Sequence, residues 1–217
     1  MKKIRHGSLT LALAAVALGA TALAARPAQA RLIDLRADVR GGGFTGWGNT
    51  ANTPDFFDRR GGAGLGAEVG VKLLIFDVSA NFFQVLGGNG AEATLTQLLA
   101  GINLDVPLGN DKFQSGIDRG HNKNILHPLA NFGFAVGTPE PIHPPLDNAQ
   151  ISHKGLVTNV GLGYEHFLTG VIAVGAEVDY GYHYFVGGGQ TMMAANQTYS
   201  SGTQLAGYAT LTFHLGY

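Results

Sequence analysis

Downstream of residue 30, eight stretches of this 217-residue chain alternate apolar and polar side chains with a period of two. That period marks a β-strand with one oily and one polar face. The clearest is the final eleven residues, Gly207–Tyr217: Ala209, Leu211, Phe213, Leu215 and Tyr217 form the apolar row, opposite Thr210, Thr212, His214 and Gly216. Leu32–Gly43 sets Ile33, Leu35, Ala37 and Val39 against Asp34, Arg36, Asp38 and Arg40. Gly62–Leu73 sets Ala63, Leu65, Ala67, Val69, Val71 and Leu73 against glycines, Glu68 and Lys72. The remaining five stretches are Phe76–Val85, Thr94–Val106, Leu129–Gly137, Leu156–Phe167 and Val171–Tyr184. Most reach the ~9–11 residues that a tilted strand needs to cross a bilayer core.

Connections between these stretches alternate in length. Leu73–Phe76 and Phe167–Gly170 are short turns, Phe44–Gly61, Thr138–Gly155 and Phe185–Gly202 are long loops, and Gly87–Ala93 is a shorter loop. Bacterial transmembrane barrels alternate short periplasmic turns with longer outer loops, on an even number of strands. Pro107–Pro128 breaks the rhythm. It stands where a tight turn is expected, and is either an irregular periplasmic excursion, the preferred reading, or a wall extension through Lys112–Asp118.

The first thirty residues have a different character. Lys2, Lys3, Arg5 and His6 precede an Ala/Leu-rich run over Leu9–Ala25, followed by Ala28-Gln29-Ala30. This is the pattern of a secretory signal peptide cleaved after Ala30, leaving residues 31–217 as one domain. Four of the 14 basic residues fall in the leader, so the exported part carries ten bases against 15 acids, a net charge of −5. That balance excludes a nucleic-acid partner, which needs a basic face. The chain has no Cys, which removes disulfides, thiolate metal sites and a Cys nucleophile.

Alternation alone fits a soluble barrel as well as a membrane barrel, and the make-up of the polar row separates them. A row facing water is rich in Lys and Glu. Here it is mostly Gly, Asn, Ser and isolated charges, suited to a crowded interior, whereas the apolar row carries essentially no mid-strand charge. A lipid-facing charge at the bilayer midplane costs ~2–4 kcal/mol. Phe76, Tyr164, Phe167, Tyr184, Phe185 and Tyr217 lie near strand ends, where aromatic belts form. The expected fold is all-β, an eight-stranded antiparallel transmembrane β-barrel.

With its terminal strand, Gly161-Leu162-Gly163-Tyr164 and Leu104-Asp105-Val106-Pro107-Leu108-Gly109, the chain resembles the small bacterial outer-membrane barrel superfamily, the OmpA-like and OmpW-like proteins. The resemblance covers Arg31–Tyr217 and implies a barrel in the outer membrane of a Gram-negative cell, in contact with outer-membrane lipid. It also implies that the last strand, through Leu211, Phe213, Leu215 and Tyr217, is the signal read by the barrel-assembly machinery.

Candidate chemistry is sparse. Seven His lie beyond the leader (His121, His127, His143, His153, His166, His183, His214), none with paired metal-ligand spacing, so neither metal nor cofactor is expected. His183 and His214, on polar rows, read as interior hydrogen-bond partners. Ser152-His153 with Glu165 is the one local set resembling a nucleophile and base, but adjacent strand residues face opposite ways, so no enzyme is expected. The stronger candidate is an interior ionic network of Asp34, Arg36, Asp38, Arg40, Glu68, Lys72, Asp105, Glu177 and Asp179. In an eight-stranded barrel, side chains can fill the interior. The expected function is a structural or loop-presenting envelope protein with a largely filled lumen, monomeric. The alternative is a narrow porin or OmpW-like channel for small or hydrophobic solutes, with Phe83 and Val85 lining a pocket for a small hydrophobic ligand. Trp47, Phe56, Phe57, Met192 and Met193 are expected in long loops that present a binding surface.

Overall fold

The computed structural model describes residues 33–48, 61–88, 93–114, 120–139, 152–188 and 198–216. They form β1 (Ile33–Gly48), β2 (Gly61–Leu73), β3 (Phe76–Gly88), β4 (Ala93–Asn103), the two-residue β5 (Val106–Pro107), β6 (Asn124–Pro139), β7 (Ser152–Phe167), β8 (Ile172–Gly188) and β9 (Thr198–Gly216). Each long strand pairs antiparallel with its sequence neighbour, β1 pairs with β9, and β4 pairs with β6 across the β5 segment. The result is a closed, eight-stranded antiparallel barrel. Closure gives each of the eight wall strands two hydrogen-bonded neighbours and so leaves the wall without a free edge.

β1 starts and β9 ends at one rim, called proximal here; the opposite rim is distal. Two of the three proximal connections are tight turns. Leu74 and Ile75 alone join β2 to β3, with Leu74 held at φ 58°, the left-handed region that an L side chain seldom occupies. Leu168–Val171 joins β7 to β8, where Ile172 N–H donates to the Thr169 hydroxyl.

Side chains sort by strand parity. Leu65, Val69, Val78, Leu98, Phe132, Leu156, Val160, Val178 and Leu211 stand on the outside, each at least 40% exposed, while Asp38, Arg40, Glu68, Lys72, Asp77 and His214 point inward and are 7% exposed or less. A soluble barrel is built the other way round.

The strands are longer than the sequence pattern indicates, and several assignments change. Phe44–Gly48, Ser152–Gly155, Phe185–Gly188 and Thr198–Gly202, expected in loops, belong to the wall; Trp47 pairs with Thr203 on β9. The expected strand Leu129–Gly137 begins five residues earlier, at Asn124. The expected Thr94–Val106 strand breaks after Asn103, and Val106–Pro107 re-pairs with Leu126 and Ile125. Pro107–Pro128 is an excursion whose described residues, 107–114 and 120–128, are joined by backbone hydrogen bonds. Leu108 N–H donates to Asn124, Lys123 N–H to Asp111, and Phe113 N–H to His121, so the β4–β6 pair continues as a narrow hairpin beyond the proximal rim. Phe56, Phe57, Met192, Met193, Tyr217 and the leader lie outside the described residues.

Candidate functional site: the barrel interior

Two chemically distinct zones fill the interior. From the middle toward the distal end, Phe83, Val85, Leu95, Leu99, Ala135, Val157, Ala206 and Tyr208 pack as one buried apolar cluster, with Phe44 against it. Phe83 is its centre. Its ring meets Tyr208 edge-on at 5.4 Å between centroids and Phe44 at 6.4 Å, arrangements aromatic pairs favour. Glycines opposite make this possible. A Cβ on Gly64 or Gly66 would lie 2.9 and 2.8 Å from ring carbons of Phe83. Beside the cluster, Gln97 bridges Asn81 and His183, at 3.3 Å to each.

The proximal zone is ionic, because the polar rows of β1, β2, β8 and β9 converge there. Arg40, 2% exposed, donates through Nε to Asp38 Oδ1 (2.9 Å), reaches Glu68 Oε2 at 3.0 Å and Glu177 Oε1 at 3.5 Å, and stacks over the Tyr208 ring at 5.2 Å. Arg36 donates to Glu68 Oε1 (2.7 Å) and Asp77 Oδ2 (2.8 Å). Lys72 pairs with Asp105. Two histidines are each flanked by two carboxylates. His127 lies 2.9 Å from both Asp105 and Glu165, and His214 lies 2.7 Å from Asp34 and 3.2 Å from Glu165.

Asp105 sits below the wall, between β4 and β5. Burial pushes its carboxyl up, but hydrogen bonds from His127 and Lys72 and their charges outweigh that and hold it at about 2. Around these groups is a chamber of about 310 Å³, reached from the proximal side and partly roofed by Phe113 and His121 of the hairpin.

Of the nine residues expected in the network, Asp34, Arg36, Asp38, Arg40, Glu68, Lys72, Asp105 and Glu177 are tied into these ion pairs. Asp179 lies on the same inward row of β8, two residues from Glu177, at a position cleared by Gly161 across the strand pair. The sequence reading omitted Asp77, Glu165 and His127. Asp77 alternates with Ser79 and Asn81 and was readable as inward-facing. His127 lies in the stretch that the alternation pattern leaves to the Pro107–Pro128 connection, whereas β6 begins at Asn124. Glu165 was grouped with Ser152-His153, but Ser152 and Glu165 occupy opposite ends of β7, roughly 40 Å apart at ~3.3 Å per residue. Phe167, expected in an outward aromatic belt, is instead buried inside, its ring 4.9 Å from His214. Phe83 and Val85 do face a common apolar region, which is packed with side chains. Leu211 of the expected assembly signal faces outward, with Phe213 and Leu215 half-buried on the same strand.

No family model matches the sequence, and no curated protein matches it. Among solved structures, Neisserial surface protein A superposes with a TM-score of 0.51 at 10% identity, over 83% of this chain and 96% of that one. The chain has the fold of the small outer-membrane β-barrels. The N-terminal β-barrel domain of Pseudomonas aeruginosa OprF aligns at a TM-score of 0.45 and 14% identity, over 83% of this chain and 97% of that domain. The outer membrane protease OmpT from Escherichia coli aligns at 0.39 and 8% identity, over 89% and 100% of the two chains. The interior of this barrel pairs an apolar distal cluster with a charged proximal chamber.

Proposed function

We propose that this protein is a non-conducting outer-membrane barrel, exported with a leader cleaved after Ala30, that serves the envelope as a structural wall and as a scaffold for its distal connections. In this reading the proximal rim faces the periplasm, the outward apolar side chains contact lipid, and the barrel is monomeric. The terminal strand, with Leu211, Phe213, Leu215 and Tyr217, is the element engaged by the assembly machinery. The observation that carries the reading is the apolar plug. Eight side chains drawn from five strands, none more than 7% exposed, occupy the bore where a channel would need water. An apolar constriction of this kind excludes ions by staying dry. No set of groups described above joins a nucleophile to a base, and the reading is non-enzymatic.

Planar-bilayer recording tests it. The purified mature protein should insert without reproducible single-channel steps. Uniform steps of constant amplitude would favour a narrow porin or solute channel and defeat the closed-barrel reading.

A further inference from the structure

The proximal chamber has a chemistry that a closed barrel does not use. We propose that it is a binding site for a small amine-bearing cation, entered from the proximal, periplasm-facing side.

Charge is the first argument. The chamber walls carry six carboxylates, Asp34, Asp38, Glu68, Asp105, Glu165 and Glu177, against Arg36 and Lys72. Arg40 and Asp77 stand behind them in the same ion pairs, so seven acids face three permanent bases. Even with His121, His127 and His214 all protonated, seven acids stand against six bases among these described residues. In a partly buried chamber, an excess of acids attracts a cation.

The second argument is independent of charge. Asn103, 1% exposed, lines the chamber, and its side-chain oxygen Oδ1 has no hydrogen-bond partner. A buried acceptor left unpaired is costly and uncommon. What it lacks is a donor, and an ammonium group brings three.

Size and lining select the class of cation. About 310 Å³ is the lower end of the range for small-molecule pockets and far exceeds a bare ion. Among the described residues, no three His, Cys, Asp or Glu side chains are placed to hold a metal ion. Phe113 and Phe167 line the chamber as well, offering apolar surface to the methylenes of such a cation. The side chain of Asp105, 49% exposed, marks the way in.

Isothermal titration of the mature barrel in non-ionic detergent, at fixed ionic strength, provides the test. The probe is 1,4-diaminobutane, with calcium chloride and sodium chloride as separate titrants. Saturable binding of the diamine is expected. Asn103→Ala and Asp105→Asn should each weaken it about tenfold, the loss of one hydrogen bond to a charged group. Val85→Ala, in the plug, should leave it unchanged. Heat-modifiable electrophoretic mobility verifies that each variant is folded, and Asp105, between β4 and β5, lies outside the strand ladder. Absence of saturable diamine heat, unchanged affinity in folded Asp105→Asn, or calcium saturating the site and displacing the diamine would each overturn the proposal. Because the readout is binding rather than conductance, its failure leaves the closed-barrel reading standing, and the reverse also holds.

Discussion

At the scale of single residues, Arg40 organises the interior. Asp38 lies two positions before it on β1, so strand parity aims both side chains the same way, and Glu68 faces Asp38 directly across the β1–β2 pair. Arg40 is almost completely buried, yet it holds Asp38 and Glu68 at hydrogen-bonding distance and draws in Glu177 from β8. Breaking a buried ion pair by removing one partner strands the other charges, at a cost of about 3–5 kcal/mol. Arg40→Ala should therefore lower unfolding stability by about that amount in urea titrations of the barrel in lipid vesicles. Arg40→Lys should fall between the two, because it keeps the charge but loses the planar fork that reaches two carboxylates at once. Equal stability of Arg40→Ala and the natural protein would show that the network contributes nothing net.

At the scale of elements, the strands were legible where alternation was unbroken and illegible where Pro or Gly interrupted it. All eight wall strands have a counterpart in the period-two pattern. Their distal ends do not, since Gly41-Gly42-Gly43-Phe44-Thr45-Gly46-Trp47-Gly48 has no oily row to follow, although all of it pairs with β9 and Gly41–Thr45 also pairs with β2. Pro128 misled in another way. Proline has no N–H for a ladder and usually argues against an interior strand, yet here it sits inside β6, and its carbonyl accepts from Leu104 N–H. The outward face permits a quantitative test. Val160, at the middle of β7 between Ala130 and Tyr180, is 56% exposed on the outside, whereas Lys154 stands exposed near the distal end of the same strand. Val160→Arg should cost ~2–4 kcal/mol of unfolding stability in vesicles, because a charge there meets the bilayer midplane. Lys154→Ala, which removes a charge near the interface, should change stability by only ~0–1 kcal/mol. Equal costs at the two positions would mean that the apolar exterior is not matched to a bilayer.

At the scale of the whole molecule, the bore is closed by two seals in series, and they differ in kind. The proximal seal is polar. Its ion pairs surround a chamber, and water entering it meets charged groups that it can solvate. The distal seal is a packed apolar cluster with Phe83 and Tyr208 ring against ring. The sequence showed the first seal through its inward charges but only the edge of the second. Its signal was the doubling of apolar residues at Phe82-Phe83, Leu98-Leu99 and Leu156-Val157, where one member faces out and the other in. A period-two reading assigns the row to whichever face is oilier, and so passes over apolar residues turned inward. If the dry seal decides conduction, removing its two largest rings should admit water to the bore. Phe83→Ala with Tyr208→Ala should produce single-channel events in planar bilayers that prefer cations, since acids outnumber bases along the remaining path. Arg36→Ala, which loosens only the polar seal, should stay silent because the rings still block the bore. Conduction by Arg36→Ala, with silence from the double variant, would place the barrier in the ionic half instead.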